Sequence, residues 1–167
     1  MTMAAHRDDA STTLRDALLA DHHRIDDMLT RILVALEAVD PDRAANEWAD
    51  FDQALTAHLD AEDRYLIPAL SVSRPRVALA LLQEHRHVRG RALELGKAIE
   101  KRALRPEIVR GFVDELSAHV RHETSVLYEW ADDELDASDR DAVVRAVTPT
   151  ARPNSTTFRE GRTKRRG

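Results

Sequence analysis

His58-Leu59-Asp60-Ala61-Glu62 and His119-Val120-Arg121-His122-Glu123 share one spacing, an imidazole followed four residues later by a carboxylate. On a helix, residues four apart lie on one face, a turn apart, so each pair presents a nitrogen and an oxygen donor in one direction. Upstream of each pair stands another histidine behind an acidic residue, Asp21-His22 and Glu84-His85. His22, His58, Glu62, His85, His119 and Glu123 all fall in otherwise apolar stripes that contain no Lys or Arg. A carboxylate in such a stripe is costly unless it is paired or ligates a cation, and two of them repel each other. A pair of cations removes both penalties. Imidazole and carboxylate together suit iron, manganese or zinc. Six such ligands do not saturate two six-coordinate ions, which leaves positions for oxygen, peroxide, nitric oxide or water.

The elements that must position these groups are legible as helices. Leu14, Leu18, His22, Ile25, Leu29, Ile32 and Leu36 recur at intervals of three and four, which predicts a first helix. Ser11, Thr12 and Thr13 are its N-cap candidates, and it stops near Asp40-Pro41, where Asp40 can cap the next helix. Phe51, Leu55, His58, Glu62 and Leu66 predict a second helix ending around Leu70. Ser73-Arg74-Pro75 opens a third, with Val77, Leu81, His85, Val88, Ala92, Leu95 and Ile99 in its stripe. Arg105-Pro106-Glu107 opens a fourth, with Phe112, Leu116, His119, Glu123 and Leu127. A short fifth helix is expected from Ser138 to about Val147, with Asp141 completing a capping-box-like start.

The stripes repeat. Adding 63 to the first gives the third, and adding 61 to the second gives the fourth. The duplication predicts an all-α, up-down-up-down four-helix bundle with a pseudo-two-fold internal repeat, plus the short C-terminal helix. Counting residues along antiparallel neighbours puts His22 level with His58, and His85 within about a turn of His119. All six side chains then point inward at one level.

Composition supports helix and bounds the chemistry. The 167 residues contain only 5 Gly and 6 Pro, few aromatic residues and no cysteine. Thiolate metal sites, Fe–S clusters and cysteine nucleophiles are therefore excluded. No stretch is long enough to span a membrane and no export signal is visible, so a cytoplasmic protein is expected. The net charge of −5 conceals a basic end, six Lys or Arg against Glu160 alone in residues 150–167. The acidic body disfavours nucleic-acid binding by the fold. The expected organisation is a disordered segment over 1–10, the bundle over 11–148, and a flexible basic tail over 149–167, in which Arg162-Thr163-Lys164-Arg165-Arg166 reads as solubilising.

Taken in order, Asp21-His22-x-x-Ile25, His58-x-x-x-Glu62 with Leu66-Ile67-Pro68, Glu84-His85-x-x-Val88, and His119-x-x-x-Glu123 with Leu127-Tyr128 resemble the hemerythrin-like (HHE cation-binding) domain over roughly residues 12–131. The resemblance implies two iron ions with an oxo or hydroxo bridge, with manganese and zinc ranked behind iron. It implies His22 and His58 on one ion, His85 and His119 on the other, and Glu62 and Glu123 bridging. The chain departs from the oxygen carriers of that family. Leu81 stands where they have a second third-helix histidine, and Glu123 follows His119 by four residues where they use an aspartate at five. Fewer nitrogen ligands favour reactivity over reversible oxygen carriage.

Two functions follow as expectations. One is redox chemistry on hydrogen peroxide, oxygen or nitric oxide, as a peroxidase, catalase-like enzyme or oxidase in stress defence or iron handling. The other is a non-catalytic module that senses or binds oxygen, nitric oxide or iron, which would call for a partner protein. A small diatomic or peroxide ligand is expected in either case, on a monomer or homodimer. Other residues carry blander readings. His23 and His87 do not match under the repeat and read as half-exposed or supporting groups, while His122 reads as surface or interhelical. Glu84-x-x-His87 offers one copy of a ferritin-like spacing, but Arg24 stands in the repeat position of His87. Tyr65 and Tyr128 lie near the second ligand pair and could donate hydrogen bonds or electrons to bound oxygen species, with packing at a helix interface the favoured role. Trp48 and Trp130 read as core or interhelical.

Overall fold

The structure, a computed structural model, describes residues 13–148. The expected terminal segment over 1–10 and the basic tail over 149–167 lie outside the described residues. Among the described residues the chain is all helical, with no strand. Helix α1 (Leu14–Glu37) starts at Thr13, whose hydroxyl accepts from the Asp16 N–H at 3.1 Å. Helix α2 (Pro41–Ala61) starts at Asp40, which accepts from the Arg43 N–H at 3.0 Å, with Pro41 in the first turn where its missing N–H costs nothing. Helix α3 (Ile67–Ser73) continues the second helical stretch, α4 (Pro75–Glu100) follows, then α5 (Pro106–Glu123), α6 (Glu129–Glu134) and α7 (Ala137–Val147).

Two features differ from the expected pattern. The second and fourth stretches are not uninterrupted α-helices. Each widens into a π-helical turn directly after its last α-helical residues, over Glu62–Leu66 and Thr124–Tyr128. In the first turn the Ile67 N–H reaches back to the Glu62 carbonyl, and Pro68, which brings no N–H, follows at once. In the second, the Thr124 and Ser125 hydroxyls donate to the carbonyls of Val120 and His122, at 2.8 Å each. The last helix begins a residue before Ser138, and its cap is Asp136, which accepts from the Asp139 N–H at 2.9 Å. Asp141 does not provide the start.

The turns that end α1 and α4 are built alike. Val39 and Arg102 both take left-handed backbone angles, φ 57° and φ 53°. The Asp40 N–H bonds the Ala35 carbonyl at 2.9 Å, and the Ala103 N–H bonds the Ala98 carbonyl at 2.9 Å, the long closing bond of a helix C-cap. Each backbone hydrogen bond of one turn has its counterpart 63 residues on.

Helix α1 packs against α2, α5 and α7, α4 packs against α2, α3 and α5, and the apolar interior forms two clusters. One joins Ile25, Leu29, Phe51, Leu55, Val88, Phe112 and their neighbours. The other joins Leu14, Leu18, Leu66, Leu81, Leu127, Trp130 and Val143. Burying each large apolar side chain contributes about 1.5–3 kcal/mol. Between the clusters every central stripe passes through a polar residue: His22 between Leu18 and Ile25, His85 between Leu81 and Val88, and Glu123 between Leu116 and Leu127.

Candidate metal centre

The structure brings all six sequence-predicted side chains into that layer. His22, His58, Glu62, His85, His119 and Glu123 are all buried, although they come from four different helical stretches. Donor atoms of His22, His58, Glu62 and Glu123 lie within 4.8 Å of one another, as do those of His85, His119 and Glu123. Glu123 belongs to both groups. Its Oε2 lies 3.4 Å from His22 Nε2, and its Oε1 lies 2.8 Å from His85 Nε2 and 2.9 Å from His119 Nε2. Glu62 also spans the layer, with Oε1 3.5 Å from His58 Nε2 and Oε2 3.5 Å from His85 Nε2.

Outside the layer, carboxylates hold the rings. His58 Nδ1 donates to Asp21 Oδ2 at 2.9 Å, His85 Nδ1 to Asp63 Oδ1 at 2.6 Å, and His119 Nδ1 to Glu84 Oε2 at 3.0 Å. Holding each ring by Nδ1 turns Nε2 into the layer, the arrangement that orients histidines on a metal once the Nε2 proton has left. The carboxylates are themselves held: Asp21 by Arg24, Asp63 by Arg89 at 2.8 Å, and Glu84 by His122 at 2.8 Å. His22 is the exception, because its buried Nδ1 has no hydrogen-bond partner. Its Nε2 sits 2.8 Å from His58 Nε2 and 3.1 Å from the Tyr128 hydroxyl. Tyr128 is fully buried and donates to Glu62 Oε1 at 2.8 Å.

The electrostatics record how crowded this layer is. Burial pushes the Glu62 carboxyl up to about 8, reinforced by the Glu123 carboxylate beside it. Glu123 is held well below the usual carboxylate range, because the His119, His22 and His85 rings around it outweigh its burial. Burial pulls His58 down, but Glu62 and the bond to Asp21 outweigh it and raise the ring to about 9. His85 is raised in the same way to about 10, by Asp63 and Glu123 against its burial. His22 is lowered, chiefly by burial. Burial raises the Tyr128 hydroxyl well above its ordinary value, so it stays a donor.

The donor set fits cations. Glu62 Oε2, His119 Nε2 and Glu123 Oε2 are buried in the layer without a hydrogen-bond partner, and such groups are costly unless something positive satisfies them. A cavity of about 270 Å³ between α1, α2 and α5 reaches His22, His58 and His119, with Leu19, Leu55 and Leu59 among its walls.

The family model for the hemerythrin HHE cation binding domain matches residues 13–131. The chain belongs to that family. A hemerythrin HHE domain binds metal ions, typically iron, and takes small ligands such as oxygen there. No curated protein and no solved structure matches the chain. In this hemerythrin-family protein the matched span ends at Ala131, so α7 lies beyond it and packs on α1 and α2. Among the described residues no helix is long and apolar enough to cross a membrane.

Residues outside the layer sort themselves. His23 is exposed, and His87 is exposed with its Nε2 3.1 Å from Glu115. The ferritin-like spacing is therefore not used, since Glu84 turns to His119 and His122 while His87 faces away. Trp48 and Trp130 are buried, as expected of packing residues. Nothing in the sequence marks the role of Asp63, and the hydrogen-bonding role of Tyr128 stands there behind packing. For Asp21 and Glu84 the signal was available, because an acid directly precedes a stripe histidine in both halves of the repeat.

Proposed function

We propose that this protein carries a di-iron centre and performs redox chemistry on a small oxygen or nitrogen oxide, with hydrogen peroxide, oxygen and nitric oxide as the candidates. His22 and His58 would hold one ion and His85 and His119 the other, with Glu62 and Glu123 shared between them. The observation that carries this reading is the set of three carboxylate–histidine pairs, Asp21–His58, Asp63–His85 and Glu84–His119, which aim Nε2 atoms toward two buried glutamates. The bundle would be the four-helix, twice-repeated arrangement expected from the stripes, and the matching turns at Val39 and Arg102 support it.

Bound iron supplies Lewis acidity and one-electron exchange to a ligand at such a site. The chain's own groups do the rest. The apolar clusters on either side of the layer exclude bulk water. The Tyr128 hydroxyl holds a proton against Glu62 Oε1 and stands beside His22, which places a hydrogen-bond donor at the edge of the centre. The cavity against His22 and His58 gives a small neutral molecule a lined path.

The test is metal analysis of purified protein with its visible spectrum, before and after peroxide. Two iron ions per chain and repeated peroxide consumption are the expected result. Stoichiometric bleaching without turnover overturns the redox-enzyme reading. Protein that binds no metal overturns the centre itself.

A further inference from the structure

The four histidines of the layer are not equivalent. His58, His85 and His119 each give the Nδ1 proton to a carboxylate, at 2.9, 2.6 and 3.0 Å. For them the Nδ1 proton that a cation-binding ring keeps already has its acceptor. His22 must present Nε2 to a cation and carry its proton on Nδ1, where the buried nitrogen finds no acceptor. That costs the desolvation of an unmet N–H each time a cation binds there.

The sequence shows where the missing acceptor would stand. Asp63, which orients His85, directly follows Glu62, and Thr124 directly follows Glu123 in the other half. The Thr124 hydroxyl is spent on the Val120 carbonyl of its own helix. The difference extends outward. Arg89 ties Asp63 to Asp60, at 2.8 Å each, and so buttresses the His85 side. Shifting by the repeat intervals puts Asp26 in the place of Arg89 and Arg121 in the place of Asp60. Asp26 and Arg121 line the cavity that reaches His22 and His58, and no ion pair joins them in the structure. His85 is 0% exposed, whereas His22, at 8%, is the most exposed of the six.

We infer that the centre has an anchored half and an exchangeable half. The cation on His85 and His119 binds first and tightly. The cation on His22 and His58 binds second and more weakly. The inference rests on the proposed two-metal reading and deepens it. Losing a carboxylate partner of a ligating histidine typically weakens metal binding about 10–100-fold, which sets the expected gap between the two steps.

Anaerobic titration of the metal-free full-length protein with Mn(II), followed by calorimetry and electron paramagnetic resonance, tests this. Two steps separated by about 10–100-fold are expected, the first giving the spectrum of an isolated ion and the second a coupled pair. His22→Ala should abolish the weak step and keep the tight one. Asp63→Asn should weaken the tight step alone, and Thr124→Asp, by supplying an acceptor for His22, should draw the two steps together. Two steps of equal affinity, or loss of the tight step in His22→Ala, overturn the inference while leaving a two-metal centre. Failure to bind a second ion at any concentration overturns the two-metal reading, and this inference with it.

Discussion

Replacing Tyr128 with Phe removes one oxygen from a fully buried position and leaves the ring. That oxygen donates to Glu62 Oε1 at 2.8 Å, while Glu62 Oε2 already lacks a partner. The substitution therefore strips a buried carboxyl of the one hydroxyl donor it has. Leaving a buried polar group without its partner costs about 1–3 kcal/mol, so metal-free Tyr128→Phe should be less stable by about 2 kcal/mol. In a chain of this length that corresponds to a fall in Tm of roughly 4–8 °C. Cations on Glu62 would take over much of the compensation, so in metal-loaded protein the loss should shrink to about 1 kcal/mol, the worth of an ordinary hydrogen bond. Urea unfolding of four proteins, the wild type, Tyr128→Phe, Glu62→Gln and the double variant, isolates the pair. A coupling energy of about 1–2 kcal/mol is expected for residues in one hydrogen-bonded network. Metal-free Tyr128→Phe within about 0.5 kcal/mol of wild type, the range of a neutral surface change, would refute the reasoning. Tyr128 would then be a packing residue after all.

Three further outcomes follow from the geometry. His58 and Glu62 both bind their protons more tightly when folded, at about 9 and about 8. With His85 raised in the same way to about 10, the folded metal-free protein holds more protons than the unfolded chain between the ordinary His value and about 10, so its stability should fall as pH rises through that window. Metal binding needs deprotonated ligands, so metal-loaded protein should gain over the same range, and thermal melts of both forms from pH 6 to about 9 should diverge. Gly90 and Gly111 lie inside helices with nothing within 4 Å of an added Cβ, whereas at Gly96 a Cβ would stand 3.0 Å from Trp48 Nε1. Gly90→Ala and Gly111→Ala should each stabilise by about 0.5–1 kcal/mol in urea unfolding, and Gly96→Ala should gain less or lose. Asp40→Ala deletes the cap of α2, and should cost about 1 kcal/mol by the same measurement.

The stripes made the helices legible because period and burial coincide. Each stripe histidine and glutamate occupies a slot that an apolar residue otherwise fills, so their convergence could be read from spacing alone. The groups that hold the rings were harder to see. Asp63 lies beside the stripe, and its role depends on which way His85 of another helix turns, an azimuth that spacing does not encode. Tyr128 meets Glu62 across 66 residues of chain, at a height displaced by the second π turn. The π turns themselves were hidden because His58, Glu62 and Leu66 keep a spacing of four that an ordinary α-helix also gives. Pro68 was the local sign for the first of them, since a proline inside a helical stretch must disturb the bonding behind it. The second has no proline, and there the Thr124 and Ser125 hydroxyls bond carbonyls of their own helix, which spacing does not announce.

The polar layer also divides the interior. Apolar contacts that would otherwise run the length of the helices stop at His22, His58, His85 and His119 and resume beyond them. Without cations, the two apolar clusters are joined mainly by helix backbone and by a few hydrogen bonds among like-charged and titrating groups. Amide hydrogens around Phe51 and Phe112 should then exchange as one cooperative unit and those around Leu70 and Val143 as another, each with its own opening free energy. Ions on Glu62 and Glu123 would tie four helical stretches together at the seam, and the two units should merge into a single, slower one. The metal centre would then set how many pieces the molecule unfolds in.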